Sequence, residues 1–440
     1  MKVKNSLINK MISLLFPLIL TNTLNVLTYI INSIWVGKLI GEDGIAVITN
    51  CYPMTVILSA VISAFVSAVS VLVSQNYGSK DTKGIKQIMG FGYLFSFILG
   101  ILIMWIVTSF SEDFLRILGT PRHIFKDTQI YLLLYVIGFV INFVLLLISE
   151  SIRALGNVNL PLTFVGIETV MNIGCVPLFI LNGFGTAGVA VSNIIAKIIV
   201  LIFAIALVRK KYSILKVDNE YLKINKGTLI RVLQIGIPIM LEQCIIALVI
   251  SLETSISNQA GVVGNAAYGI VVKWEQIFLV ISQSLQTVVT ILVGQYIGKR
   301  ELNQIHIILK NGIKLSIFPI GLIILITFGI PDFFCGIFIN NANVIQVAVQ
   351  YLSIAGFAYM LMPIRMMLNG FIIGTAHTRY LLFSSVVSSM LEITVMYILL
   401  HSDNIESMLV LAFSVLVYVI IDTVLSSVFY FSGVWKKRLV

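Results

Sequence analysis

Charge is scarce in this chain. Only 11% of its 440 residues are Asp, Glu, Lys or Arg, whereas 58% are hydrophobic, and the mean hydropathy is +1.02. Soluble globular proteins carry about 25% charged residues, so a water-soluble fold is excluded. Cysteine is sparse as well: Cys51, Cys175, Cys244 and Cys335 lie far apart and form no CxxC, which gives no metal or disulfide framework. His123, His306, His377 and His401 show no ligand spacing, and no clustered nucleophile and base points to an enzyme. The period-two alternation of a membrane β-barrel is absent. So is a phosphate-binding Lys motif, which argues against direct use of ATP. The stretch Gly183-Phe184-Gly185-Thr186-Ala187-Gly188 matches GxGxxG literally. A dinucleotide site needs a preceding strand, and here the glycines mark a tight turn between two apolar runs.

Long apolar runs are what the chain has in abundance. Twelve are each long enough for the ~20 residues a bilayer requires: 11–36, 45–75, 87–108, 128–150, 160–182, 187–208, 231–258, 265–296, 305–330, 344–370, 380–400 and 407–432. The second and eighth exceed the need and should tilt or protrude. No short cleavable leader is evident, since Lys2, Lys4 and Lys10 precede a first run that can itself span. The reading is an all-α polytopic membrane protein with twelve transmembrane helices in two pseudo-symmetric six-helix lobes.

Most of the 29 Lys and Arg fall at the N-terminus, in alternate connections or at the C-terminus, including Lys80, Lys83, Lys86, Arg153, Lys299, Arg300, Arg379, Lys436, Lys437 and Arg438. The opposite connections hold Lys38, Arg116, Arg122 and Lys126. The positive-inside rule then makes both termini cytoplasmic in a multi-pass protein of the cell membrane. The net charge of +10 reports topology and attraction to anionic lipid heads, not nucleic acid. One long polar interruption, RKKYSILKVDNEYLKINK from Arg209, divides the chain. The expected parts are an N-terminal lobe over 1–208, a cytoplasmic linker over 209–230 and a C-terminal lobe over 231–440.

The two parts repeat. With Pro17 placed over Pro238, Asn32 falls on Glu253 and Ala46 on Ala267 without a gap. After one residue of slippage VSQNYG at Val73 meets VGQYIG at Val293, Gly92 meets Gly312 and Tyr131 meets Tyr351. Six spans per copy, each copy starting inside, make the repeats parallel about an axis along the membrane normal, with a cleft between lobes.

The run from Arg231 to Gln259 carries Glu242 and Glu253, eleven residues and close to three helical turns apart, hence on one face. A carboxylate facing lipid is costly, so both acids face a cavity or a partner. Glu275 lies in the next span, an antiparallel neighbour, so Glu253 and Glu275 share a cavity in this reading. There they exchange protons, or hold Na⁺ with oxygens of Thr254, Ser257 or Gln276, since hard cations prefer oxygen ligands. A structural pairing is the alternative, with Lys273 as a cross-helix partner for Glu253. Glu242 lies deeper toward the cytoplasm and serves drug attraction or structural pairing. Glu168 and Asn172 form an i, i+4 patch in span five that lines the first lobe's cavity or bonds a neighbouring helix. Glu392, within one position of Asn172 on overlay, is a third acidic candidate. Glu150 pairs with Arg153. Asp422, Lys197 and Arg365 are read as structural, Arg365 fixing an acid such as Glu392.

The stretches FPLILTNTLNVLTYIINSIWVG, VSQNYGSKD, IRALGNVNLP, MNIGCVPLFILNGFGTAGVA, GIPIMLEQ, GNAAYGIVVKWEQ and VGQYIGKRE together resemble multidrug and toxic compound extrusion (MATE) transporters over nearly the whole chain. The resemblance implies a monomeric secondary antiporter that exports drugs or organic cations in exchange for Na⁺ or H⁺ and uses no cofactor beyond that coupling ion. Family members often carry an acid where this chain has Asn32, and Asn followed one turn later by Asp where it has Asn172 and Val176. The acid pair of the first lobe is therefore missing, Glu168 is its possible substitute, and coupling shifts to the second lobe. Within transporters the alternative is a lipid-linked oligosaccharide flippase, which needs a cationic cleft. Six basic residues, Lys197, Arg231, Lys273, Lys310, Lys314 and Arg365, lie within these spans against seven acids, a balance that modestly favours cationic cargo.

Overall fold

The computed structural model describes residues 2–402 and 406–436; Lys437 and Arg438, counted above among the C-terminal basic residues, lie outside them. Helix dominates and, among the described residues, there is no strand. The helices are α1 (Lys2–Leu39), α2 (Glu42–Gly78), α3 (Thr82–Ile117), α4 (Phe125–Ala154), α5 (Asn159–Phe179), α6 (Ala187–Lys211), α7 (Lys226–Gln259), α8 (Gly261–Gly298) and α9 (Leu302–Ile324), then the short α10 (Pro331–Gly336), α11 (Ala342–Gly374), α12 (Thr378–Leu400) and α13 (Ser407–Ser432). All but α10 lie in the 12 segments long and apolar enough to cross a membrane. Many large apolar side chains point outward, Phe318 with 76% of its surface free and Phe431 with 80%. Lipid tails make that exposure favourable, because they are as apolar as the side chains.

The glycine-rich turn that mimics GxGxxG follows α5, where Ile180–Phe184 widens into a π-turn with Gly183 at φ 86°. It closes a helix pair, which disposes of the nucleotide reading on structural grounds.

The chain divides into two compact units, Phe16–Gly236 and Met1–Leu15 with Ile237–Val440. The two breaks have the same spacing as Pro17 and Pro238, and each falls one residue before its proline. The start of α1 is thus grouped with the second unit: Lys10 Nζ donates to Gln295 at 3.3 Å. The backbone repeats along with the sequence. Left-handed residues recur in register, Gly41 (φ 92°) with Gly261 (76°), Lys80 (61°) with Arg300 (60°), and Gly156 (93°) with Ala376 (62°). Three of these positions lack glycine, so the turn geometry is imposed by the helices on either side against an intrinsic preference of about 1–2 kcal/mol.

In the first unit α4 packs on α2, α3 and α6, and α6 on α5. In the second, α11 packs on α8, α9 and α13, and α12 lies against α13. The polar segment after α6 is docked, not free. Lys86 Nζ meets Asp218 Oδ2 at 2.9 Å, and the Tyr221 carbonyl approaches Gly90 so closely that a Cβ there would sit 2.1 Å from it. The neighbouring lysine holds the Asp218 carboxyl below its usual range. Asp218 is exposed and Lys86 only half-buried, so steric fit at Gly90 decides the docking rather than the ion pair.

We expect Gly90→Val to lift this segment off α3 while the helices stay intact. Tryptic cleavage after Lys211 and Lys216 should accelerate about tenfold or more, because the protease reads local opening; an unchanged rate would show that the segment is already free.

Candidate functional site

Polar clusters interrupt the apolar interior of both units. In the second unit Glu253 of α7 is buried, 8% exposed, and accepts a hydrogen bond from Tyr268 Oη of α8 at 3.0 Å. Its other partner is the carboxyl of Glu392 on α12, 2% exposed. Glu275 on α8 is half-buried and acts on Glu253 through space. The expected neighbourhood of Glu253 and Glu275 is present, but the acid bonded to Glu253 is Glu392, and α12 supplies it. Two carboxylates in contact inside a low dielectric repel strongly, so the pair is at ease only with a proton or cation between or beside its oxygens.

Tyrosines wall this cluster. Tyr268 and Tyr351 meet edge to face at 6.5 Å between centroids, and Tyr359 lies against Phe278 at 5.7 Å. Tyr351 and Tyr359 are buried within electrostatic reach of Glu253 and Glu275. None of the three was singled out from the sequence as a site residue. The one available signal was the register of the repeat, which puts Tyr351 on Tyr131, a lining residue of the cavity in the first unit.

Other assignments change. Lys273 does not reach Glu253; it is exposed and its ammonium stands 5.0 Å from the centroid of Phe338. Gln276 is exposed too, whereas the side chain of Thr254 is within hydrogen-bonding reach of Tyr268. Arg365 binds Asp422 rather than Glu392: Nε to Oδ2 is 2.7 Å, and Tyr418 Oη and Asn369 complete the cluster. The reason is packing, since α11 lies along α13 far more than along α12. Glu242 is half-buried and senses this ion pair through space. The expected contact of Glu150 with Arg153 is formed.

In the first unit a cavity of ≈ 520 Å³ is lined by residues of α1, α2, α4, α5 and α6, among them Asn32, Glu168, Asn172 and Lys197. Thr28 of α1 and Thr169 of α5 share a hydrogen bond of 2.8 Å at its wall. Asn172 Nδ2 donates to the Glu168 carbonyl at 2.9 Å. Its Oδ1, and that of Asn32, are buried without a partner. Asn32 and Asn172 occupy the repeat positions of Glu253 and Glu392. The same pair of positions therefore carries carboxyls in one unit and carboxamides in the other.

Twelve apolar helices in two repeated units, each with a polar site at membrane depth, define a helical membrane transporter. The MatE family model matches residues 17–178 and 238–398, once per repeat and beginning at each of the two prolines. The probable multidrug resistance protein YoeA of Bacillus subtilis is 26% identical over 99% of this chain and 96% of its own. The multidrug export protein MepA of Staphylococcus aureus is 23% identical over 90% and 88%. A mutant of the Vibrio cholerae MATE transporter VcmN superposes with a TM-score of 0.92 at 19% identity, over 100% of this chain and 99% of that one. The chain belongs to the MATE family: it is a transporter, not an enzyme.

The Arg365–Asp422 pair lies off the Glu253 cluster and should behave structurally. Removing one partner of a buried pair costs about 3–5 kcal/mol, whereas an apolar replacement of both is often neutral. Asp422→Ala should therefore lower the melting temperature in detergent markedly, and Arg365→Met with Asp422→Leu should recover most of it. Equal losses for single and double variants would refute the pairing.

Proposed function

We propose that the chain exports drug-sized amphiphilic compounds, organic cations among them, across the cell membrane in exchange for Na⁺ or H⁺ taken up at Glu253 and Glu392, with Glu275 adding to the local negative charge. Both termini face the cytoplasm in this reading, which the distribution of basic residues supports. The observation that carries the proposal is the hydrogen-bonded pair of buried carboxyls, Glu253 and Glu392, with Tyr268 as the neutral donor beside it. An acid buried at membrane depth is a functional site by default, and a pair in contact has two charge states that differ in what they can hold.

Coupling follows from linkage. If the outward-open state binds the ion more tightly than the inward-open state, ion entry from outside shifts the population toward the state that releases cargo outward. Cationic cargo suits the cluster better than a lipid-linked pyrophosphate does. Arg365 is engaged by Asp422 and Lys273 stands over Phe338, so the acids of the second unit are not matched there by free positive charge for an anionic carrier lipid.

Ethidium efflux from proteoliposomes, with Na⁺ and pH gradients imposed separately, tests this. One gradient should drive efflux, and Glu253→Gln or Glu392→Gln should reduce that component about tenfold or more, since each removes the differential ion affinity. Ethidium binding at equilibrium should persist in both variants. Gradient-driven efflux at the wild-type rate in Glu253→Gln would refute the assignment.

A further inference from the structure

The outer face of α9 is basic where the matching helix of the first unit is not. His306, Lys310 and Lys314 follow one another at four-residue intervals, so they share one face. All three are exposed. Ile313, Ile317 and Phe318 continue that face and are 49%, 65% and 76% exposed. Ile308, Leu309, Gly312 and Ser316 form the opposite, buried face, and α9 packs on α8 and α11. The exposed face therefore looks toward lipid, basic over its first turns and apolar beyond them.

These lysines are not needed for topology. Lys299 and Arg300 already make the turn before α9 basic, which is enough for orientation. The register that sets Gly312 on Gly92 sets Lys310 on Gly90 and Lys314 on Leu94. The Tyr221 carbonyl covers Gly90, whereas Lys310 and Lys314 are exposed and have no ion-pair partner among the described residues. Aromatic neighbours mark the depth. His306 meets the Tyr430 hydroxyl, and its ring lies 6.0 Å from that of Trp435; Tyr and Trp gather where membrane meets water. At a rise of 1.5 Å per residue, Lys310 lies about 6 Å and Lys314 about 12 Å further along the helix. From there a lysine stem can run along apolar surface and return its ammonium group to the level of the lipid phosphates. Two ammonium groups one turn apart repel, and one anion held between them relieves that repulsion.

We infer that the Lys310–Lys314 face of α9 binds one anionic glycerophospholipid, its phosphodiester held between the two ammonium groups and its acyl chains lying along Ile313, Ile317 and Phe318. The leaflet is the one at the start of α9, the cytoplasmic one in the reading above. Net charge sets the selectivity, because the headgroup ammonium of a zwitterionic lipid opposes the lysines and an anionic headgroup does not. The residues of the acidic cluster all lie on other helices, so lipid binding on α9 is independent of which ion or cargo is exchanged.

Native mass spectrometry of the purified full chain tests this by counting the lipids retained as dioleoylphosphatidylglycerol or dioleoylphosphatidylcholine, identical in their chains, is titrated in. The first phosphatidylglycerol should bind about tenfold more tightly than phosphatidylcholine, a margin within reach of one charge-assisted contact. Lys310→Gln with Lys314→Gln should reduce the preference to about twofold or less, whereas Lys310→Arg with Lys314→Arg should keep it, since Arg also pairs with phosphate. Lys210→Gln with Lys223→Gln, which removes two exposed charges elsewhere, should leave it unchanged. Equal retention of both lipids by the unaltered protein would overturn the assignment and leave the face to an acidic protein partner; that result needs no variant to fold. Equal losses in the two glutamine pairs would overturn it as well, by showing a response to overall charge and not a site. Glycerol 1-phosphate in large excess identifies the source of the phosphate. Lacking acyl chains, it should fail to displace the lipid, and displacement would give the lysines to a soluble phosphate instead.

Discussion

The contact between the carboxyls of Glu253 and Glu392 is the constraint around which the second unit makes sense. Burying one ionised carboxylate in a medium of low polarisability is expensive, and burying two side by side is worse. Such a pair persists because its surroundings limit the damage. Tyr268 donates to Glu253, while Tyr351 and Tyr359 exclude water without adding charge. An interaction of this kind contributes nothing to stability that an apolar pair would not supply better. In the exchange proposed for this site, a proton or cation changes the pair from repulsive to cohesive and so ties a chemical event to a structural one.

The first unit shows what the same scaffold does without that constraint. Asn32 and Asn172 sit at the repeat positions of Glu253 and Glu392, and carboxamides there carry no charge to neutralise. The cavity beside them is open, walled by tyrosines and polar side chains, and balanced by Glu168 and Lys197. The two units share one helical scaffold, and two repeat positions carry carboxyls in the second and carboxamides in the first. A family model that matches twice, starting at Pro17 and at Pro238, is the sequence trace of that repeat, and the left-handed turns at Lys80 and Arg300 are its backbone trace.

Much of this was legible in the sequence, for identifiable reasons. Bilayer thickness imposes a length on apolar runs, so all twelve spans could be read directly. Their ends could not. The third run reads as 87–108, but the helix extends over Thr82–Ile117, because Lys83, Lys86, Glu112 and Arg116 continue it into a polar medium where hydropathy no longer reports helix. Partner choice was the harder matter. Adjacency in sequence favoured Glu275 for Glu253 and left Glu392 for Arg365, whereas the packing of α11 on α13 hands Arg365 to Asp422 and frees Glu392 for Glu253. Hydropathy and repeat register say which faces are polar. They do not say which of several polar faces meet.

Lys197 shows the same limit from the other side. Read alone, a lysine in an apolar span is most economically structural, paired or snorkelling to the interface. Glu168 reads as a cavity-lining residue, and α5 and α6 are consecutive helices joined by a tight turn, so the lysine on the second lines the same cavity as the acid on the first. Together they make the charges facing the cavity one negative and one positive, unlike the acid pair of the other unit.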